Sequence, residues 1–387
     1  SLNGGFQIDA KPTRMMFSTS TPTGFGELKT YVEYDFDLIQ GPTASTSNAN
    51  EARLRQAYGT LGPWLIGQAW SNFADLSSWG DGDNGDPAID AGVPATTVNG
   101  RVPQVRYTFL AGGGLSLAGS IEMPVTYWTV PGSFNTITGQ VTSVTHQYSN
   151  DLNFGSAVPN GAGSGSITNG GGIQSIPAFV GAVNWAQPWG ALSLHGVLQQ
   201  LEIRNDPAIS VNNNIDKFGY GVYLAGHLNT WGKDRLGGGI DFFHGAVNYS
   251  PFFSNTAQGL ILSGNGTNGA CTATSSTSGG ALNGCSVSVA DNFGVYANYE
   301  HFFTDAVALD VDGGYEYGFK PDNVGNWTSG ALVALEKRAW TGHVNLIWRP
   351  VPGLLSMTLM YGHWYREMWS GAKGDADAIK AQAKFFW

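Results

Sequence analysis

The fold class is decided by the stretch Ile379-Lys380-Ala381-Gln382-Ala383-Lys384-Phe385-Phe386-Trp387. Apolar residues alternate with lysine and glutamine along it, and it ends on aromatic residues. A period of two places one row of side chains against lipid and the other against an aqueous lumen, as a membrane-spanning strand requires. The stretch therefore predicts the terminal strand of a bacterial outer-membrane β-barrel.

The composition of the whole chain agrees with a barrel. Charged residues make up only 12% of the 387 residues, aromatic residues another 12%, and 55 residues are glycine, a pattern unlike that of a soluble globular domain. No run of about 18 apolar residues is present, so a transmembrane helix is excluded and a closed barrel is the remaining way to span a membrane.

Charge and processing signals add two further expectations. The net charge of −10 gives no bulk attraction to nucleic acid, so nucleic-acid binding is excluded. The chain begins at Ser1 without an initiator methionine or an apolar signal core. We therefore expect a chain that is mature after export or that lacks an upstream segment.

Fifteen strand-length segments with a period of two can be placed along the chain. In the second of them Leu28, Val32 and Tyr34 share one face, and Glu33 and Asp35 lie on the other. Half-buried antiparallel strands have this pattern. The predicted segments are 4–18, 27–38, 52–60, 63–71, 102–110, 114–126, 176–186, 190–203, 216–229, 234–245, 289–302, 306–319, 336–349, 354–368 and 378–387.

The connections between these segments alternate between short and long. Short periplasmic turns and long external loops in alternation are typical of outer-membrane barrels, so residues 1–387 are predicted to form a single up-and-down barrel domain. Because such barrels have even strand numbers, we expect 16 strands, with the missing one before Ser1 or within residues 1–10. The long external loops are predicted at 71–101, 127–175, 246–288 and 320–335.

Three runs of sequence resemble a known family. The run TSTPTGFGELKTYVEYDF (residues 19–36), and the runs RLRQAYG (53–59) and LIGQAWSNFAD (65–75), are similar to the first hairpins of the DcaP-like trimeric outer-membrane porins. The resemblance extends over about residues 13–110. It implies a 16-stranded homotrimer in the bacterial outer membrane that passes small solutes, which are anions such as dicarboxylates in the better-known members. It also implies an upstream segment in the precursor.

The residues predicted to shape the pore lie in one loop and on the strands around it. A charged side chain that faces lipid at mid-membrane costs about 2–4 kcal/mol, so charged strand residues are expected to face the lumen. The loop at 71–101 is expected to fold inward and narrow the lumen. The predicted acidic loop residues are Asp75, Asp81, Asp83, Asp86 and Asp90, and the predicted basic wall residues are Lys29, Arg53, Arg55 and Arg106.

Two interpretations of these charges stay open. An acidic loop opposite a basic wall makes a transverse field that selects solutes by charge and size. Alternatively, the arginines pair with loop carboxylates and hold the loop in place. Arg14 and Arg349 are further candidates for the basic wall, and Lys11 is equally well a rim residue.

The external loops contain two further features. Cys271 and Cys285 are predicted to form a disulfide that closes a loop of about 15 residues, worth on the order of 3 kcal/mol. The acidic residues Asp81, Asp83 and Asp86 resemble a calcium loop loosely, but Gly92 stands where an EF-hand has its bidentate glutamate. A bridging calcium ion and a solvated acidic turn are both compatible with this segment, and no other metal or cofactor is expected.

Three classes of function can be compared. An outer-membrane enzyme needs a nucleophile beside its base, and His301, Asp305, Asp310 and Asp312 have none, so we predict that the protein is not an enzyme. We predict a passive diffusion channel for small hydrophilic solutes that favours small anions or dicarboxylates. The alternatives are a cation-preferring general porin and an adhesive or structural barrel. Expected partners are further copies of the chain, outer-membrane lipid and lipopolysaccharide, and small solutes.

Overall fold

The computed structural model describes most of the chain as antiparallel strand. The described residues are 8, 10–11, 13–36, 52–75, 100–124, 126–129, 147–149, 170–171, 175–205, 215–250, 259–263, 286–332 and 335–386. Within these residues, no helix has the length and the apolar character needed to cross a membrane.

The strands are numbered here in chain order. They are β1 (Arg14–Thr23), β2 (Gly26–Asp35), β3 (Arg53–Leu61), β4 (Trp64–Trp70), β5 (Arg101–Gly112), β6 (Leu115–Glu122), β7 (Thr126–Thr129), β8 (Gln147–Ser149), β9 (Gly170–Gly171), β10 (Ala178–Gln187), β11 (Gly190–Asn205), β12 (Ile215–Asn229), β13 (Arg235–His244), β14 (Leu260–Ser263), β15 (Ser286–Val289), β16 (Asp291–Phe302), β17 (Val307–Gly318), β18 (Glu336–Val351), β19 (Leu355–Met368) and β20 (Lys373–Phe385). A short α-helix covers Ser329–Leu332, and 3-10 turns cover Val247–Tyr249 and Asp322–Val324.

One large sheet forms the wall of the barrel. Its path runs β1-β2-β3-β4-β5-β6-β10-β11-β12-β13-β16-β17-β18-β19-β20, and β9 pairs with β11 off this path. All neighbouring strands on this path pair in antiparallel fashion. The fifteen predicted segments and the up-and-down antiparallel topology are therefore confirmed. A separate sheet with the order β15-β14-β7-β8 lies in the loops and was not predicted.

The two ends of the path differ from the prediction in their bounds. The first predicted segment ends at residue 18, whereas β1 continues through Pro22 to Thr23 and the turn lies at Gly24 and Phe25. Proline lacks a donor but is tolerated in an edge strand, and β1 has β2 as its one neighbour among the described residues. β20 begins five residues earlier than predicted, at Lys373.

β1 and β20 run in the same direction, because fourteen antiparallel steps separate them on the path. An antiparallel barrel cannot close between two such strands, which is the physical reason to expect one more strand. Residues 1–7, 9 and 12 lie outside the described part of the chain. The sixteenth wall strand therefore stays a prediction.

The two faces of the sheet are reversed relative to a soluble protein. Large apolar side chains such as Phe218, Leu224 and Ile240 are about half exposed on the outer face, where a membrane protein meets lipid. Polar side chains such as Gln104 and Glu300 are buried on the inner face. Exposed tryptophans next to the short turns form an aromatic girdle, made of Trp64, Trp185, Trp189, Trp231 and Trp348. Trp364 instead points inward and contacts His343, with 5.1 Å between the ring centroids.

The sheet is wrapped around its inner face. Tyr249 and Ser250 are adjacent in the chain, yet the Tyr249 hydroxyl donates to Glu122 in β6 and the Ser250 hydroxyl donates to Glu316 in β17. Those strands are six steps apart on the path. In a flat sheet they would be separated by about 29 Å, so the wall must curve to bring both within reach.

The external end carries a small apolar cap. Ile261, Val324, Trp327 and Leu335 pack there as a buried cluster with Ala290. The Trp327 indole donates to the Ser263 hydroxyl at 2.8 Å, and the Asn323 amide donates to the Ile261 carbonyl at 2.7 Å. β14 and the segment after β17 are thereby tied together over this end of the wall.

Candidate functional site: the lumen

A β-bulge arranges charged residues on the inner face of β2 and β3. Glu33 is in register with Gln56, and the next pair is Tyr34 with Leu54, so Arg55 is the extra residue. A bulge turns two consecutive side chains toward the same face. Arg55 and Gln56 are accordingly both buried and both donate to Glu33, Arg55 at 2.5 Å and Gln56 at 2.7 Å.

Asp35 connects the two arginines of β3. Arg53 donates to it through Nε at 2.8 Å and Nη2 at 2.6 Å, a bidentate pair, and Arg55 donates through Nη1 at 2.7 Å. Arg14 of β1 lies 3.8 Å from Glu33. The pairing proposed for the arginines therefore exists, but the described carboxylates belong to the neighbouring strand β2 and not to the loop.

Arg106 of β5 also lies on the inner face. It is in register with Leu65 and Ser120, which are both buried on that face. Glu122 and Tyr58 lie within electrostatic range of its guanidinium. Among the described residues, Arg106 forms no ion pair, so its charge is less compensated than the charges of Arg53 and Arg55.

Arg101 joins this group from the start of β5. It lies over the Trp70 ring, 4.6 Å from the centroid, and it is within electrostatic range of Arg14, Arg53 and Arg55. Strand parity places Arg101 on the face opposite to Arg106, and for this reason the sequence did not single it out. We call the group Arg14, Arg53, Arg55, Arg101 and Arg106 the arginine cluster.

The described ion pairs of this part of the wall expose their cations more than their acids. The side chains of Arg14 and Arg53 are each 33% exposed, whereas those of Glu33 and Asp35 are 2% exposed. In these described pairs the guanidinium groups are therefore more accessible than the carboxylates.

The facing part of the wall carries many carboxylates, but they are covered. Asp312 accepts from His343 at 2.7 Å, and the Asn345 amide donates to both Asp310 and Asp312 at 3.1 and 3.0 Å. Arg366 pairs with Glu336 at 2.6 Å. The Asp312 side chain is 8% exposed. Five further inner-face acids of these strands are at most 3% exposed, namely Asp241, Glu300, Asp310, Glu316 and Glu336.

Residues 71–75 leave β4 and enter the lumen. Ser71 Oγ and the Asn72 amide donate to Glu122 at 2.7 and 2.8 Å, and the Asn72 carbonyl accepts from His195 at 2.9 Å. His195 lies in the middle of β11, so this contact is at mid-depth of the barrel. Phe73 is 1% exposed.

Phe73 packs into an aromatic cluster on the facing wall. Its ring centroid lies 5.9 Å from that of Tyr223, 5.5 Å from Phe243 and 5.4 Å from Tyr249. Gly239 lies behind this cluster, and a Cβ there would be 2.7 Å from the Tyr296 ring and 2.9 Å from the Tyr223 ring. The glycine lets the two tyrosines meet and share a hydrogen bond of 3.0 Å. Gly239 thus serves inner-wall packing.

Comparison with known proteins agrees with this geometry. A family model described as "Porin subfamily" matches residues 7–384. The chain belongs to this porin family. It is a protein of the bacterial outer membrane, and its family and architecture are those of a channel. No curated protein sequence matches the chain.

Two solved structures show how this porin compares with others. The outer membrane channel DcaP of Acinetobacter baumannii superposes with a TM-score of 0.66 and 18% identity, over 97% of this chain and 85% of that chain. A loop L8 deletion mutant of OmpT, an outer membrane protein of Vibrio cholerae, superposes with a TM-score of 0.50 and 10% identity, over 98% and 92%. Together with the family match, the first of these confirms the predicted kinship with DcaP-like porins.

The other predicted site residues are placed as follows. Lys29 pairs with Glu27 at 3.1 Å near the short-turn end of the porin, apart from the arginine cluster. Asp75 is buried beside His195 and Tyr223 on the facing wall. The remaining predicted residues lie outside the described part of the chain, so the calcium alternative and the disulfide stay predictions; these residues are Asp81, Asp83, Asp86, Asp90, Cys271 and Cys285.

The residues considered for an enzyme are not gathered into one constellation. His301 bonds to Asp234 at 2.7 Å and Asp305 pairs with Lys233 at 2.9 Å, both at the short-turn end of the barrel. Asp310 is buried on the inner wall. Its hydrogen-bond partner is Asn345, so Asp310 belongs to a different hydrogen-bond network from His301 and Asp305.

Sequence reasoning left Lys380 and Lys384 without a role. Both lie on the inner face of β20, where they alternate with the exposed Ile379, Ala381 and Ala383. Lys380 lies over the Trp364 ring at 4.9 Å. The alternation of lysine with apolar residues in the terminal strand could have predicted that both lysines face the lumen.

Proposed function

We propose that this porin is an anion-preferring diffusion channel for small hydrophilic solutes, with dicarboxylates as the favoured class. The observation that carries the proposal is the difference in exposure between the two signs of charge. Arg14 and Arg53 are a third exposed, whereas the carboxylates paired with them are 2% exposed. Charged side chains that line a pore select by sign through the field they present to the permeating solute.

Buried acids contribute less to that field than their number suggests. Each of them is partly compensated by a local donor or cation, as Glu336 is by Arg366. Charge behind a layer of packed side chains also lies farther from the permeating solute, and the interaction falls with distance. The net charge of the whole chain is negative. Because many of the acids are buried and compensated, this net charge does not predict the sign of ion selectivity.

Guanidinium groups suit dicarboxylates for a geometric reason. Arginine presents a planar fork of donors that matches a carboxylate, and Arg53 shows this geometry with Asp35 inside the protein itself. Arg106 has no ion-pair partner among the described residues. A dicarboxylate could engage Arg106 with one end while another arginine of the cluster attracts the other end. Resemblance to trimeric porins adds the proposal of a homotrimer embedded in outer-membrane lipid and lipopolysaccharide.

The test is electrical. Reversal potentials of the purified porin in a planar bilayer under a KCl gradient should indicate anion preference, and conductance steps in groups of three would support the trimer. Arg106→Ala should shift selectivity toward cations, and Arg55→Ala should shift it in the same direction. Lys29→Ala is the matched control, because it also removes one positive charge, but from a pair with Glu27 near the short-turn end and apart from the arginine cluster.

The outcomes separate the alternatives. A reduction of current by a small dicarboxylate in the wild type, weakened in Arg106→Ala, would support the proposed solute class. Cation preference in the wild type would contradict the proposal and assign control to the acidic loop residues. An absence of conductance would contradict the channel and favour a structural or adhesive barrel.

A further inference from the structure

A second segment enters the lumen directly after β13. Residues 246–250 belong to a loop predicted as external, yet Ala246, Val247, Tyr249 and Ser250 are at most 1% exposed. Gly245 has φ of 71°, a left-handed conformation that glycine adopts without strain, and it turns the chain back inward. The two inward segments, 71–75 and 246–250, therefore both occupy the interior.

The second segment is held by polar contacts to three separate strands. Asn248 accepts from Gln199 of β11 at 2.7 Å, Ser250 donates to Glu316 of β17 at 2.6 Å, and Tyr249 donates to Glu122 of β6 at 3.4 Å. A segment held from three directions spans the lumen and does not merely line one wall.

Glu122 is the residue that both segments share. It is 2% exposed, and each of its oxygens accepts two hydrogen bonds. Oε1 accepts from the Asn72 amide and from Ser120 Oγ, both at 2.8 Å, and Oε2 accepts from Ser71 Oγ at 2.7 Å and from the Tyr249 hydroxyl. A carboxylate offers about four acceptor positions, so this one is fully used.

We infer that Glu122 is a positioning residue that joins the two inward segments into one unit, so that both of them set the width of the pore. The contact between the Phe73 and Tyr249 rings, 5.4 Å between centroids, is the second link between the segments. The inference depends on the protein being a channel, and it is independent of the sign of its ion selectivity.

The chemistry of the carboxylate makes the role specific. Glutamine has the same shape but presents an amide NH₂ in place of one oxygen, and that group cannot accept a hydrogen bond. Whichever way the amide turns, two of the four donors lose their acceptor. Glu122→Gln should therefore loosen the connection without creating a cavity.

Permeation of neutral sugars into proteoliposomes tests the inference. The quantity measured is the rate for a neutral trisaccharide divided by the rate for a neutral monosaccharide, which cancels differences in the amount of folded protein. In Glu122→Gln this ratio should rise several-fold. Glu202→Gln is the matched control, since Glu202 is an inner-wall acid, 3% exposed, whose described hydrogen bond is from Ser175; its ratio should stay that of the wild type.

Single variants separate coupled from independent segments. Ser71→Ala removes a donor from the first segment, and Tyr249→Phe removes the hydroxyl of the second while keeping its ring in the aromatic cluster. If the segments form one unit, each single change raises the permeation ratio. The fold-increase in the double variant is then smaller than the product of the two single fold-increases. Multiplicative effects, or an unchanged ratio in folded Glu122→Gln, would overturn the inference. Should Glu122→Gln fail to fold, the single and double variants still decide the question.

Two different measurements test the coupling of the segments and the anion selectivity of the pore. Neutral sugars do not respond to the sign of the wall charge, whereas reversal potentials do. A porin with anion preference but independent segments would contradict the coupling alone. A porin with coupled segments and cation preference would contradict the proposed selectivity alone.

Discussion

The arginine cluster on β1, β3 and β5 differs from the facing wall from β10 to β18 in how its ionisable residues are placed. Both line the inside of a barrel and both contain ionisable residues. On the first, guanidinium groups are partly exposed in front of their carboxylates. On the second, the acids are buried, and Phe73 and Tyr249 from the inward segments cover part of the surface.

The number of charges on a pore wall is therefore a poor guide to its field. What a solute meets depends on which charges are exposed and how each one is compensated. The chain as a whole has an excess of acids. In the ion pairs beside β2 and β3, however, the arginine side chains are more exposed than the carboxylates.

Removal of one carboxylate should break the arginine cluster. Asp35→Ala leaves Arg53 without its bidentate partner and leaves buried Arg55 with Glu33 as its described acceptor. Breaking a buried pair from one side costs roughly 3–5 kcal/mol, and we expect the lower end because the lumen admits water. Urea unfolding followed by tryptophan fluorescence measures the loss.

The control for Asp35→Ala is Glu27→Ala. Glu27 pairs with Lys29 and both side chains are more than half exposed, so its loss should leave the unfolding midpoint unchanged. Equal midpoints for the two variants would mean that the cluster adds no stability. The surviving Asp35→Ala protein should also be more anion-preferring than the wild type, because it has lost an acid and kept the arginines.

The aromatic wall should be disturbed by a single methyl group. In Gly239→Ala the added Cβ would meet the Tyr296 and Tyr223 rings at 2.7 and 2.9 Å, and overpacking of this kind costs about 1–3 kcal/mol. Gly181→Ala is the matched control, because a Cβ at Gly181 has nothing within 4 Å. A Gly239→Ala variant as stable as Gly181→Ala would show that the two tyrosines are free to move apart.

The smallest effect is expected at a short turn, outside the membrane-spanning strands. The Phe302 amide and His301 hydrogen-bond Asp234 and lower the pKa of its carboxyl from 3.8 to about 2. A lowered folded-state pKa stabilises the protein above the unfolded-state value, and that contribution is lost as pH falls through about 2. Asp234→Asn should therefore be less stable than the wild type at about pH 5, with the difference vanishing near pH 2.

Unfolding midpoints of both proteins across this pH range provide the measurement. A difference that persists unchanged at the acid end would mean that the Asp234 side chain stabilises the turn through geometry and not through its charge. Neutral-sugar permeation should be the same in both proteins, because Asp234 lies far from the inward segments.

Local pattern was enough to predict the strands and the side each one presents to lipid. The period of two in Phe218, Tyr220, Val222 and Leu224 is a property of the backbone itself, and a membrane penalises any charge on that face. The same parity placed Arg106 on the inner face. The turn positions were harder to predict from sequence. In β1, Pro22 suggested that the strand ends before it, whereas an edge strand tolerates proline and continues to Thr23.

Only the tertiary structure decided how the lumen is arranged. The bulge at Arg55, the approach of Arg101 to the cluster and the inward turn at Gly245 depend on pairing between strands or on contacts across the barrel. Glu122 collects donors that are about 50 and 127 residues away in the chain. Periodicity carries no information about such distant partners, because it reports only what each residue's own strand requires.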